Sequence, residues 1–143
     1  MSDFFTLKDL TSKIGSGATP TGGNNVYITS GISLIRSQNV YDFSFSKDGL
    51  VYISNEDAKK LDGVSVQAGD ILLNITGDSI ARVCVVPDQI LPARVNQHVA
   101  IIRCKNKNSS KYISYYLQYL KPYLLKICRV GGTRNALTKE AIE

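Results

Sequence analysis

Apolar residues in this chain come in short clusters whose spacing switches between the alternation of strands and the longer period of helices. β-Branched runs at residues 26–29 and 32–36 predict two short strands. Residues 41–45 alternate aromatic with polar side chains, and residues 50–53 form another apolar run, so each predicts a strand. Farther along, Gly69-Asp70 precedes the run ILLNIT, and Gly77-Asp78-Ser79 precedes IARVCVV. Together these predict a buried hairpin joined by Gly77-Asp78-Ser79. Residues 99–104 predict a further strand.

Helix signals are fewer. Thr6 with Asp9, and Ser54 with Asp57, have the spacing of capping boxes, because each hydroxyl and carboxylate can satisfy early backbone amides. The first opens a short helix and the second a helix to about Leu61. Residues 14–25, IGSGATPTGGNN, predict a turn-rich loop. From 111 to 129 the pattern is helical. Leu117, Leu120, Leu124 and Ile127 share one stripe, with Tyr112, Tyr115, Tyr116 and Tyr119 beside it. The tyrosines fit core or subunit contact better than a base-stacking platform. Pro122 should kink or divide the helix, and Gly131-Gly132 should stop it.

These elements give an α+β class: one globular domain over residues 1–143, with a twisted, mostly antiparallel or mixed sheet and a few helices. No internal repeat is apparent. A new segment starts at Thr138-Lys-Glu140, and the chain stops before completing it.

Composition narrows the class of function. Apolar residues make up 43% and charged residues 20%, which excludes intrinsic disorder. No apolar stretch is long enough for a membrane span and no secretory leader is visible, so a cytoplasmic protein without membrane contact is expected. Cys84, Cys104 and Cys128 are odd in number and widely spaced, the pattern of free buried thiols. The net charge of +5 is unevenly placed: residues 1–78 balance at −3 and residues 79–143 at +8. A domain with one basic half suits a polyanion, because neutralised phosphates release condensed counterions. Arg82, Arg94, Arg103, Arg129 and Arg134 favour nucleic acid, since the planar guanidinium fits phosphate and guanine bidentately.

Catalytic constellations are missing. His98 is the only histidine and suits a structural role. Gly15-Ser-Gly17 is followed by Thr19-Pro20 instead of a helix, so it is no dinucleotide loop. Asp57-Ala-Lys59 offers a weak nuclease-like spacing on a surface helix. No cofactor or metal is expected in this chain.

Polar clusters remain at predicted strand ends: residues 16–21, Arg36-Ser-Gln-Asn39, Thr76 to Ser79 with Arg82, and Arg94-Val-Asn-Gln97 with His98. A fifth, Gly131-Gly-Thr-Arg-Asn135, follows the basic helix. Arg, Gln and Asn are the side chains that read guanine and adenine edges, while Ser, Thr and glycine amides suit phosphate. Any one cluster equally fits ordinary turn capping; their recurrence beside a basic half favours DNA.

The same clusters carry a resemblance. GSGATP (15–20), LIRSQNV (34–40), GLVYIS (49–54), GDILLNITGDSIARVCVV (69–86), NQHVAIIR (96–103) and GGTRNALTKEAIE (131–143) occur in this order. The series resembles the target recognition domain of the specificity subunit of Type I restriction-modification systems, and it covers essentially the whole chain. The resemblance implies double-stranded DNA as ligand and recognition of one half of a bipartite target. It implies a separate methyltransferase (modification) subunit that flips and methylates adenine at N6 with S-adenosylmethionine. It also implies a restriction subunit acting as an ATP- and magnesium-dependent motor in phage defence. The remaining partner would be a second recognition domain or half-subunit, since the chain stops before any helical spacer.

GSGATP, NITGD and NQH recur among members with different targets, so they are expected to frame the sheet or touch backbone. Specificity is expected in residues 39–45, 78–82 and 89–94. The DNA-contact candidates are Arg36, Gln38, Asn39, Ser79, Arg82 and Arg94, followed by Thr133, Arg134 and Asn135. Two other readings stay open: a recognition domain of a fused restriction-methylation enzyme, and a non-catalytic protein-interaction module.

Overall fold

The run Ile71–Asn74 is buried at every position because both faces of its sheet are covered. A computed structural model describes residues 7–18, 20 and 22–130. Strands β1 (Thr11–Ser16), β2 (Ile32–Ile35), β3 (Val40–Tyr41), β4 (Ser44–Phe45) and β5 (Val51–Ile53) come first, after the single turn of α1 (Leu7–Leu10). Helix α2 (Asn55–Lys59) follows, then β6 (Ile71–Asn74), β7 (Val83–Val85), β8 (Ala93–Val95) and β9 (Val99–Cys104). Helices α3 (Ser110–Tyr119) and α4 (Lys121–Val130) close the described chain.

One sheet runs β1-β9-β6-β7 and is antiparallel throughout; a second runs β5-β2-β8. In the second, β2 pairs antiparallel with β5 and parallel with β8. Strand alternation then builds the layers. Ile71, Leu73 and Ile102 pack with Ile113, Leu117 and Leu124 of the helices. Leu72, Cys84 and Ile101 point the other way, onto Ile35, Ala93 and Val95 of the second sheet. Leu34, the neighbour of Ile35, turns to the far side with Ile53, Ala58 and Leu61. Helices, sheet, sheet and α2 therefore stack in order, and truncating a central side chain such as Leu72 to Ala should cost about 2–5 kcal/mol.

The α+β class with a mixed sheet arrangement is as expected. The predicted hairpin is β6 and β7, in register Ile71↔Val85 and Leu73↔Val83. Ser54 caps α2, its hydroxyl oxygen accepting from the Asp57 amide at 3.2 Å; Thr6 lies outside the described residues. The long helix divides at Leu120, just before Pro122. Cys84 and Cys104 are free and buried. Among the described residues no helix is long and apolar enough to cross a membrane.

Four local expectations change. Part of the expected loop is strand β1, whose Thr11 and Ile14 are buried and whose partner is β9. Gly17 is required just after it, because a Cβ there would sit 1.7 Å from the Val95 carbonyl oxygen. Residues 26–29 form no strand; Val26 ends a 3-10 turn and Ile28 makes a single bridge to Tyr52. Residues 41–45 form no single strand but a hairpin, β3 and β4 joined at Asp42-Phe43, which docks on β7: the Phe43 amide donates to Val83 O at 3.0 Å and Asp42 Oδ1 accepts from Val83 N at 3.3 Å. That docking onto β7 holds Phe43 at φ +61, against its own preference. Finally, Tyr112, Tyr115, Tyr116 and Tyr119 are exposed rather than core; Ser110, Ile113, Ser114 and Leu117 face inward.

One buried ion pair fixes the base of β6. Arg103 Nε and Nη2 donate to the two carboxylate oxygens of Asp70 at 2.9 and 2.8 Å, and Asp70 is 1% exposed. Arg103 Nη2 also donates to Ser65 O and the Gln67 amide to Asp70 Oδ2, so this arginine is structural.

Candidate nucleic-acid interface

Two loops at neighbouring strand ends build one polar hollow. The first follows β2 and is a 3-10 turn over Ser37–Asn39. Asn39 holds it from within: Oδ1 accepts from the Arg36 amide at 2.9 Å, and Nδ2 donates to Ser46 O at 2.9 Å and Asp48 O at 3.4 Å. Arg36 turns outward from the hollow, donating to Gly49 O at 2.6 Å with its guanidinium 5.5 Å from the Tyr27 ring. Gly49, at φ +71, makes room for Gln38, since a Cβ there would come 2.7 Å from Gln38 Nε2.

The second loop joins β6 to β7. Its ends are tied where the Asn74 amide donates to Arg82 O and the Ala81 amide to Asn74 O, at 2.9 and 2.8 Å. Its other side leans on the approach to β9: the Ile75 amide donates to His98 O, and Thr76 Oγ1 bonds His98 Nδ1. Asn74, fully buried, clips the loops together. Its Nδ2 donates to Ser37 O and to Ser79 Oγ, both at 3.0 Å.

Between the clipped loops lies an open hollow of about 490 Å³, lined by Ser37, Gln38, Tyr41, Thr76, Gly77, Asp78, Ser79, Arg82 and His98. The Arg82 guanidinium stands 4.8 Å from the Tyr41 ring centroid, within cation–π range. No described residue gives it a hydrogen bond or ion pair, so its donors remain available to a ligand. The lining mixes donors and acceptors, as edge-on contact with a polar surface requires. Among the described residues no three His, Cys, Asp or Glu side chains group as metal ligands.

Three of the expected DNA contacts, Gln38, Ser79 and Arg82, meet in this hollow. Asn39 does not: it is 0% exposed, with its amide committed to the 46–48 loop. Arg36 likewise braces that loop from behind. Arg94 stands elsewhere, its side chain 11% exposed, donating to Ala58 O, Ala93 O and Asp62 Oδ1 at 3.1, 3.0 and 2.8 Å. It locks α2 to β8, away from the hollow. Thr133, Arg134 and Asn135 lie outside the described residues. Of the expected specificity segments, 39–45 and 78–82 reach the hollow through Tyr41, Asp78 and Arg82, whereas no residue of 89–94 lines it. His98 and Thr76 line it as well. Their clue in sequence was the polar ends of the strand motifs, which mark loops without saying which loops meet.

Burial pushes the Cys84 thiol up to about 12, helped by the nearby Asp42 carboxylate, and burial raises Cys104 too. Both shifts favour the protonated thiol, the less reactive form.

The solved structures that share this fold include the following two. One, from work on complex assembly and conformational transition of the type I R-M system, superposes with TM-score 0.69 at 18% identity, covering 99% of this chain and 33% of that one. The other, the HsdS subunit from Thermoanaerobacter tengcongensis, gives TM-score 0.69 at 16% identity, covering 99% of this chain and 32% of that one. The chain thus spans about a third of the length of either. No curated protein sequence matches it. The family model described as Type I restriction modification DNA specificity domain matches residues 2–143, and the chain belongs to that family.

Proposed function

We propose that this chain reads one half of a bipartite DNA target through the hollow between residues 37–41 and 76–82, without catalysing a reaction itself. The observation that carries this is the meeting of Gln38, Ser79 and Arg82 on two loops clipped by one buried asparagine. Arginine and glutamine suit guanine and adenine edges in the major groove, and the Ser79 hydroxyl suits either a base or a phosphate. The bound site then positions a methyltransferase subunit for adenine-N6 methylation and a restriction subunit for cleavage. S-adenosylmethionine, ATP and magnesium belong to those partners.

A second reading has its own support. Tyr112, Tyr116, Tyr119 and Tyr123 are exposed along α3 and α4, as a protein-contact face would be. Titrating salt separates the two. Duplex binding by the full chain should weaken log-linearly with salt, by about 0.9 in slope per neutralised phosphate. Salt-insensitive association, or no duplex binding with the partner subunit present, would favour the interaction module.

A further inference from the structure

The hollow contains one side chain that a phosphate-binding surface should exclude. Asp78 is exposed, and it is the only carboxylate among the described residues that line the hollow. It forms no ion pair with Arg82, whose guanidinium lies against Tyr41 instead. Nor does its carboxylate serve the turn: the turn closes through the Ile80 amide to Gly77 O at 3.3 Å, and Gly77 at φ +78 supplies the unusual backbone angle. An aspartate kept for turn formation would accept from a backbone amide nearby, and no described amide donates to this one.

A free carboxylate beside DNA repels every phosphate it approaches. It gains only where the duplex presents hydrogen-bond donors, and in the major groove these are the amino groups of cytosine N4 and adenine N6. Adenine sets its N7 acceptor beside that amino group, which opposes a second carboxylate oxygen; cytosine does not. Resting on the DNA-reading function proposed above, the geometry points to Asp78, where the NITGD motif gives way to the expected specificity segment 78–82, as a specificity-determining residue whose carboxylate accepts from a cytosine amino group. It discriminates twice, by bonding cytosine and by repelling misplaced phosphate and the acceptor-rich edge of guanine.

The test compares the full wild-type chain with Asp78→Asn and Asp78→Ala, each selected on a randomised duplex pool and titrated with unselected duplex at fixed salt. Wild type should enrich a motif containing a fixed cytosine. Both variants should lose that one preference by roughly 5- to 150-fold, the span of a single good base contact, while binding unselected duplex more tightly than wild type. Unchanged motifs in both variants would overturn the assignment of Asp78 and leave DNA recognition standing. A wild-type chain that binds no duplex would overturn both.

Discussion

The guanidinium of Arg82 rests 4.8 Å from the ring centroid of Tyr41, and the two come from different loops. Tyr41 lies beyond the 3-10 turn that follows β2, while Arg82 ends the loop leading into β7. The contact orients a charge that no described hydrogen bond fixes, so the arginine reaches the hollow already aimed.

Arg82→Ala should therefore cost about 1–3 kcal/mol in binding the preferred duplex and relax selectivity at one position. Tyr41→Ala should cost less, about 0.5–2 kcal/mol, the worth of the cation–π contact, and Tyr41→Phe should be near neutral. Fluorescence anisotropy on preferred and scrambled duplexes measures both. An equal loss on every sequence would make Arg82 a phosphate contact.

Asn74 is predicted to act through position alone. Asn74→Ala leaves the part-buried Ser37 carbonyl without its donor and frees Ser79, so stability should fall by about 1–3 kcal/mol. Urea denaturation gives the number. Binding should fall beyond what the unfolded fraction explains, because Gln38 and Arg82 then sit on unclipped loops. Wild-type binding per folded molecule would contradict the clip.

For Arg94 the expectation is the reverse. Arg94→Ala removes donors from Ala58 O and Asp62 and should destabilise the fold by about 1–3 kcal/mol. The enriched DNA motif should stay as in wild type. A changed motif would return Arg94 to the interface.

Thiol chemistry offers a check on packing. With the Cys84 thiol pushed from 9.0 to about 12 in the fold, iodoacetamide at pH 8 should label it slowly, and rapidly once urea unfolds the chain. The folded state holds this proton more tightly than the unfolded state does. Its stabilising effect is complete below pH 9.0 and is lost as pH rises towards about 12, so stability should decline across that window. Peptide mass mapping distinguishes Cys84 from the other cysteines. Fast labelling of folded protein would contradict the burial.

Much of the fold was legible because it rests on local rules. ILLNIT and IARVCVV form the hairpin they predict, Ser54 caps α2, and Pro122 divides the helix. The misses share a cause: tertiary pairing overrode local pattern. Strand β1 exists because β9 accepts it, and Phe43 adopts a turn angle because β7 holds its amide. The candidate site was half legible for the same reason. Residue type marked Arg36, Gln38, Asn39, Ser79, Arg82 and Arg94 alike for base or phosphate contact. Only burial separates them, sending Asn39 into the 46–48 loop and Arg94 onto α2. That Tyr41 and Asp78 share a hollow with Arg82 depends on how two loops 35 or more residues apart are clipped, which no spacing encodes.

The most direct measurement is selection of a randomised DNA duplex pool on the purified full chain at low salt, followed by sequencing, in parallel for wild type and Arg82→Ala. Wild type should enrich one short motif, and the variant should lose discrimination at one position within it. Equal recovery of all sequences by wild type, with the methyltransferase partner present as well as absent, would contradict sequence reading by this hollow.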